Sequence, residues 1–282
     1  MRPTTKIIFG VIASIFILSL SFIIGFSFSE RRHYTGHYHT ANRISIPQEN
    51  PIGVNLDPHR VIVIEEDYTG VRFEDENKPG TARINMYLES GCLSVIHKTS
   101  EMDDKLYFPE ALIGCIATKM NDDTLTIQLK YSELLGKYDK GDSLNYISFS
   151  GIDLDLHTSI VNIVNRVPRC IVKVNTVETD SIQIDSRGEV LIESCKANFI
   201  YTLFSKLTVK NCVVKTILLD LDHRGSWKIE KSDIEFQNFT GSGQHNITQY
   251  RNESSTINWY PKNAKAELNI KVPGDTTQIV FR

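Results

Sequence analysis

The sequence predicts an all-β chain, a β-solenoid (β-helix) of short stacked strands preceded by one N-terminal transmembrane helix. Three observations predict it. An uncharged apolar run extends from Ile7 to Ser29, short runs with a strand period of two fill the rest of the chain, and an imperfect repeat of about twenty residues marks its second half.

The apolar run IIFGVIASIFILSLSFIIGFSFS reaches the ~20 residues that a helix needs to cross a bilayer core. Arg2 and Lys6 precede it, which favours an inside-positive start, although Arg31 and Arg32 follow at once. Residues 1–6 are therefore read as a cytoplasmic tail and residues 7–29 as a signal anchor. Ser27 and Ser29 supply the small residues of a cleavable signal peptide, but the run exceeds the ~7 to 15 residues of a usual h-region. Either way the remainder is exported, membrane-anchored with the main domain in the bacterial periplasm or at the cell surface. No lipobox-like cysteine follows, so a lipid anchor is not indicated.

Residues 30–58 read as a juxtamembrane linker, polar and carrying Pro47, Pro51 and Pro58. His33, His37 and His39 in HYTGHYH have metal-ligand chemistry, but Gly36 between them leaves the geometry unspecified. The reading is a solvated tether, with no metal and no cofactor expected.

Residues 59–282 form the predicted solenoid domain. With 41% hydrophobic and 23% charged residues over 282 positions, the chain has material for a sizeable core, which excludes wholesale disorder. A net charge of -3 provides no field for a polyanion, which argues against nucleic acid as a partner. The cysteines Cys92, Cys115, Cys170, Cys195 and Cys212 include no C-x-x-C pair, which removes zinc-ribbon and thioredoxin readings, and their odd number leaves at least one thiol unbridged.

Strand-period runs occupy Val61 to Glu65, Thr81 to Leu88, Leu93 to His97 and Thr124 to Leu129, the last introduced by the turn residues Asn121, Asp122 and Asp123. Pro109 to Lys119 is the best helical candidate, yet Ile113, Cys115, Ile116 and Thr118 suit a strand, which is the preferred reading. The repeat is an apolar-any-apolar opening at Val190 and Ile192, Leu207 and Val209, Trp227 and Ile229, then Leu268 and Ile270. Steps of seventeen and twenty separate the first three, Ile247 stands twenty further on, and Leu268 falls one beyond the next expected position. A solenoid rung is such a unit, too small to bury its own apolar face and stabilised by stacking on the next. Arg187-Gly188, Arg224-Gly225 and Gly241-Ser242-Gly243 supply turns between rungs. Cys195 and Cys212 then fall at equivalent positions, with Ser232 following. The expected result is an interior column of small side chains, with a cross-rung disulfide as the alternative.

Asn121 to Leu129 (NDDTLTIQL) and Val161 to Ile184 (VNIVNRVPRCIVKVNTVETDSIQI) resemble the auto-transporter adhesin, head GIN domain family of bacterial cell-envelope proteins. In that family a turn-led strand is followed by a strand ending in proline, here Pro168, and by a ladder of short strands in a β-helix. CLSVIHKTSEMDDKLYFPEALIGCIATKM sits where its opening strands would, and the resemblance runs from Val61 to the C-terminus. The chain departs from the family at Asn175-Thr176-Val177-Glu178, where a glycine-rich turn is usual. The resemblance implies an envelope location and an adhesive or scaffolding role, with no catalytic residue to carry over.

Two echoing stretches hold the candidate chemistry: GIDLDLH with Asp153, Asp155 and His157, and LLDLDHRG with Asp220, Asp222 and His223. Alternate strand residues share a face, so each aspartate pair would present two carboxylates about 7 Å apart. Such pairs suit calcium, or a glycosidic bond flanked at ~5 to 9.5 Å. The simpler reading is that acidic residues keep the wet face of a solenoid soluble. Hydrolase elbows, P-loops, H-E-x-x-H helices and Rossmann fingerprints are absent from the sequence. Trp259 and Tyr260 offer a sugar-stacking platform, whereas Trp227 falls at an apolar rung position. Asn238, Asn246 and Asn252 open glycosylation sequons that matter only in a eukaryotic secretory pathway.

The functional expectation is a non-enzymatic envelope protein whose exported solenoid serves adhesion, scaffolding or ligand binding. Its partners would be the membrane, through the N-terminal helix, and a glycan or envelope protein. The ligand-binding candidates are Asp153, Asp155, Asp220, Asp222, Trp259 and Tyr260. The alternative is a polysaccharide-active β-helix enzyme using the paired aspartates.

Overall fold

The computed structural model describes residues 42–68, 85–88, 93–98, 104–138, 146–158, 160–204, 206–223, 225–248, 256–271 and 278–281. The N-terminal apolar run, the linker histidines, Thr81, Cys92, Arg224 and Asn252 lie outside these residues. Among the described residues no helix is long and apolar enough to cross a membrane.

The first half contributes β1 (Asn42–Ser45), β2 (Pro51–Asn55), β3 (Val61–Asp67), β4 (Asn85–Leu88), β5 (Leu93–Lys98), β6 (Lys105–Pro109), β7 (Ile116–Asn121), β8 (Thr124–Lys130), α1 (Tyr131–Tyr138), β9 (Tyr146–Ser150), β10 (Ile152–His157) and β11 (Asn162–Asn165). The second half contributes β12 (Ile171–Asn175), β13 (Glu178–Ser186), β14 (Glu189–Glu193), β15 (Lys196–Leu203), β16 (Lys206–Lys210), β17 (Val213–Asp220), β18 (Ser226–Glu230), β19 (Asp233–Gly241), β20 (Gln244–Thr248), β21 (Thr256–Pro261), β22 (Glu267–Lys271) and β23 (Gln278–Phe281). The fold is all-β, a β-solenoid of about five turns.

Two long sheets carry the coil. An eight-stranded sheet runs β18-β16-β14-β12-β5-β10-β6-β2, and a nine-stranded sheet runs β21-β19-β17-β15-β13-β11-β3-β8-β7. From β12 onward successive strands within each of the two sheets stack in parallel, as a coil requires. Val190 pairs with Leu207 and Leu207 with Trp227, the register that the repeat predicts. The later steps differ. Ile247 lies on β20, which pairs with β22 in a separate three-stranded sheet, and Ile247 stands beside Ile270 at a step of twenty-three. The repeat therefore lengthens where the coil leaves the eight-stranded sheet.

Each long strand of the nine-stranded sheet turns a corner. Pairing skips Asp180, Asn198, Lys215 and Glu235, and the inward parity slips there, with Ala197 and Ile200 both buried, as are Val214 and Ile217. A second corner precedes these strands. Thr176, Ser194, Asn211 and Lys231 occupy it with φ of 54°, 55°, 53° and 48°. Such φ values are costly for residues with a Cβ, and more so for β-branched threonine. The geometry persists because each of the first three backbone N–H groups donates across the rungs: Thr176 to the Glu193 carbonyl at 3.0 Å, Ser194 to Lys210 at 2.9 Å and Asn211 to Glu230 at 3.0 Å. Thr176 thus makes a left-handed turn without glycine.

Just inside this corner stand Val177, Cys195, Cys212 and Ser232. The Cys195 N–H donates to the Cys212 sulfur at 3.4 Å, and the Cys212 N–H donates to Ser232 Oγ at 3.1 Å. Cys195 and Cys212 are buried thiols, so the column of small side chains is present without a cross-rung bridge.

Three parts of the first half differ from the sequence reading. β1 and β2 fall within residues 30–58, the stretch read as linker, because Ile44, Ile46, Ile52, Val54 and Leu56 alternate and pack on the core. Pro51 is tolerated there as the first residue of a strand. Pro109 to Lys119 is only partly strand: β6 ends at Pro109, a 3-10 turn spans Glu110–Leu112, and β7 begins at Ile116. The helix α1 was not expected; Tyr131, Leu134 and Leu135 are its buried face. Val61 to Glu65, Leu93 to His97 and Thr124 to Leu129 are strands, and Asp122 takes φ 53° in the hairpin turn between β7 and β8.

Candidate binding face

The aspartate candidates divide between the two long sheets. Asp153 and Asp155 project from β10, whose Ile152, Leu154 and Leu156 are buried, so the predicted alternation holds. His157 on the same face lies against Tyr107, with ring centroids 4.8 Å apart. Asp220 ends β17 in the other sheet, and Asp222 sits in the turn after it, so the two pairs do not form one site.

Asp222 belongs to a stack of turns. Asp220, Thr240 and Tyr260 are in register, which puts Asp222, Ser242 and Lys262 at equivalent turn positions two residues further on. Lys262 Nζ reaches both Asp220 oxygens at 2.7 Å and Asp222 Oδ2 at 2.8 Å. Asp222 Oδ1 accepts from the Ser242 N–H at 2.7 Å and from Ser242 Oγ at 2.9 Å. The Lys262 ammonium and the Ser242 donors hold the Asp222 carboxyl well below the usual carboxylate range, and the same two aspartates raise Lys262. His223 Nδ1 stands 3.4 Å from Asp220 Oδ2, and His245 Nε2 stands 3.3 Å from Asp222 Oδ1. A Cβ at Gly241 would lie 2.5 Å from that His245 nitrogen, so glycine is what lets the imidazole cross the backbone here. No group of three or more His, Cys, Asp or Glu side chains among the described residues is arranged to hold a metal.

The paired aromatics separate. Trp259 turns inward, packs on the core and meets the His245 ring edge-on at 6.2 Å, whereas Tyr260 points outward and is 53% exposed. Trp227 also packs on the core, 5.9 Å from Phe239, as its rung position implies.

Beside Asp220 and Tyr260 the outward surface of β13, β15, β17, β19 and β21 carries two columns that the sequence reading missed. One is Ser181, Phe199, Thr216, Phe236 and Thr256; the next is Gln183, Tyr201, Leu218, Asn238 and Asn258. Phe199, Tyr201, Leu218 and Phe236 are half-buried, yet none packs against the core cluster, because their neighbours on the strand, Ile200, Ile217 and Leu219 among them, point inward. Asn258 Nδ2 donates to Asn238 Oδ1 at 2.9 Å, a cross-strand amide pair. Burial first, then the nearby Asp220 and Asp185 carboxylates, raise the Tyr201 phenol, while Lys262 opposes them; the phenol therefore lies within the field of the Lys262 cluster. The signal was available in the sequence as KANFIYTL, VVKTILLD and DIEFQNFTG, where both parities are apolar. A separate open groove of about 440 Å³ lies at the corner, lined by polar residues that include Glu178, Asp180, Lys196 and Asn198.

This chain is similar in structure to bacterial candidate adhesins. One, from Bacteroides fragilis, is 14% identical, with a TM-score of 0.45 over 81% of this chain and 96% of that one. A second, from Parabacteroides distasonis, is 10% identical, with a TM-score of 0.36 over 82% of this chain and 100% of that one. A candidate lipid-binding protein from Parabacteroides distasonis is 13% identical, with a TM-score of 0.32 over 83% of this chain and 98% of that one. No protein-family model and no curated protein matches the chain.

Proposed function

We propose that the chain is a non-enzymatic cell-envelope protein, anchored by residues 7–29 with residues 1–6 in the cytoplasm, whose exported solenoid is a binding module of the adhesin type. The observation that carries this reading is the outward apolar and amide surface around Phe199, Tyr201, Leu218, Phe236 and Asn238. Solvent-facing positions of a sheet are ordinarily polar, and a contiguous apolar patch on such a face marks an interaction site.

The alternative, a polysaccharide-active enzyme, requires carboxyls able to give and take protons near neutral pH. Asp222, held ionised by Lys262 and Ser242, is a poor general acid, and both Asp220 oxygens are engaged by the same ammonium. Two measurements test the reading. Protease added to intact cells or spheroplasts should remove the body, and the purified full chain should release no reducing ends from a polysaccharide panel. Turnover that disappears in Asp220→Asn with Asp222→Asn would establish the enzyme instead.

A further inference from the structure

We infer that the outward face of β13 to β21 binds an extended, uncharged, β-linked polysaccharide lying along the solenoid axis, an inference that rests on the binding-module reading above. Stacked strands are ~4.8 Å apart, so each rung offers one set of side chains per sugar-sized step. In the first column the side chains alternate: Ser181, then Phe199, then Thr216, then Phe236, then Thr256. Rings therefore recur at every second rung, ~9.6 Å apart on that spacing, with hydroxyls between them. A flat β-linked chain repeats over two pyranose rings at a closely similar distance, because alternate sugars are turned over, and apolar ring faces stack on aromatic side chains.

The second column supplies the matching polar edge. Gln183, Asn238 and Asn258 carry amides with both donors and acceptors, the groups that pair with sugar hydroxyls. Charge selects the partner class. None of the ten positions in the two columns is charged; beside them stand Asp185 and the Asp220 and Asp222 carboxylates, which share the one Lys262 ammonium, so the rim is acidic. Ion pairs stand outside the two columns, Lys196 with Glu178 at the near corner of the same strands and Lys206 with Glu189 and Lys210 with Glu193 on the other long sheet. An anionic polymer or a charged peptide finds no counter-charge on the two columns, whereas a neutral glycan needs none.

The test is titration calorimetry of the full-length protein in detergent with cellooligosaccharides and chitooligosaccharides of two to eight sugars, and with polygalacturonate as the anionic control. Affinity should rise with chain length and level off at about five sugars, the number of rungs on the face. Phe199→Ser with Phe236→Ser should weaken binding by on the order of tenfold or more, and Asn238→Ala by less. Both aromatic positions point away from the core, and circular dichroism verifies that the variants stay folded. Binding of polygalacturonate alone, or glycan binding that the double variant leaves unchanged, overturns the inference. Self-association abolished by the same variant, without glycan binding, identifies a second copy as the occupant and also overturns it. Should the variant lose cell adhesion while no glycan binds, the glycan falls and the binding-module reading stands.

Discussion

Cys195 and Cys212 stand at the same corner of successive rungs, with the Cys195 backbone N–H aimed at the Cys212 sulfur at 3.4 Å. A side-chain hydrogen bond with Cys212, and then burial, push the Cys195 thiol up, while the same hydrogen bond pulls the Cys212 thiol down to about 7, and both sulfurs are shut away from water. Ser232 closes the column by accepting from Cys212 N–H and donating to the Glu230 carbonyl at 2.9 Å. A serine can therefore do at Cys212 what Ser232 does one rung on. Cys212→Ser should cost no more than about 1 kcal/mol, whereas Cys212→Leu should cost ~1–3 kcal/mol by overpacking. Urea denaturation followed by tryptophan fluorescence measures both, and iodoacetamide should label these cysteines only as the chain unfolds.

The Lys262 cluster should make the last rungs pH-sensitive. Asp222 is lowered in the folded chain, so its contribution is present above the unfolded value near 3.8 and is lost as pH falls through the lower folded value. Lys262 is raised, so its contribution is complete below 10.5 and is lost as pH rises through the higher folded value. The ammonium is 38% exposed, which limits each pair to about 0.2–1 kcal/mol. The protection of β19 and β21 relative to the intrinsic exchange rate at each pH should fall below pH 4 and again above pH 10.5, with that of β14 and β15 unchanged. In Lys262→Met the alkaline effect should vanish and the acid effect should shrink without disappearing, because the Ser242 donors still hold Asp222.

The coil was legible because its period is written in inward residues that must be apolar: Val190, Leu207 and Trp227 are in register as the spacing requires. The outward face was harder to read, since Phe199 and Phe236 share the parity of the buried Ala197 and Ile234, and simple alternation would put them inside; only the corner at Asn198 and Glu235 turns them out. Asp222 was visible as a carboxylate, but its partner Lys262 is forty residues away and meets it only through two rungs of stacking. The helix α1 had a signal, Tyr131, Leu134, Leu135 and Tyr138 at helical spacing, which its eight-residue length obscured.

Gly188 should tolerate no side chain. A Cβ there would lie 1.9 Å from the Cys170 carbonyl oxygen and 2.9 Å from its carbon, and backbone in a stacked ladder cannot retreat. The Gly188 N–H also donates to Ser186 Oγ at 3.1 Å, while the Glu189 N–H donates to that same Cys170 carbonyl at 3.0 Å. Gly188→Ala should therefore cost at least the ~1–3 kcal/mol of core overpacking and lower the melting temperature by several degrees. Gly136→Ala, on α1 with nothing within 4 Å of the added carbon, should be neutral or stabilising by up to ~1 kcal/mol. Equal loss in both variants would refute the steric account.

Gln237 is 1% exposed, sits in the inward column between Ile217 and Ile257, and has no hydrogen-bond partner for either Nε2 or Oε1. A buried amide without partners costs about 1–3 kcal/mol, and leucine fills a similar volume with no polar atom to desolvate. Gln237→Leu is therefore expected to raise stability by an amount in that range. The neighbouring Ile217→Ala should lower it by ~2–5 kcal/mol, because a fully enclosed site cannot collapse around the loss. Calorimetric unfolding of the two variants separates these opposite signs. A Gln237→Leu protein less stable than the parent would mean that the amide is satisfied in solution and that the column is polar at this rung by requirement.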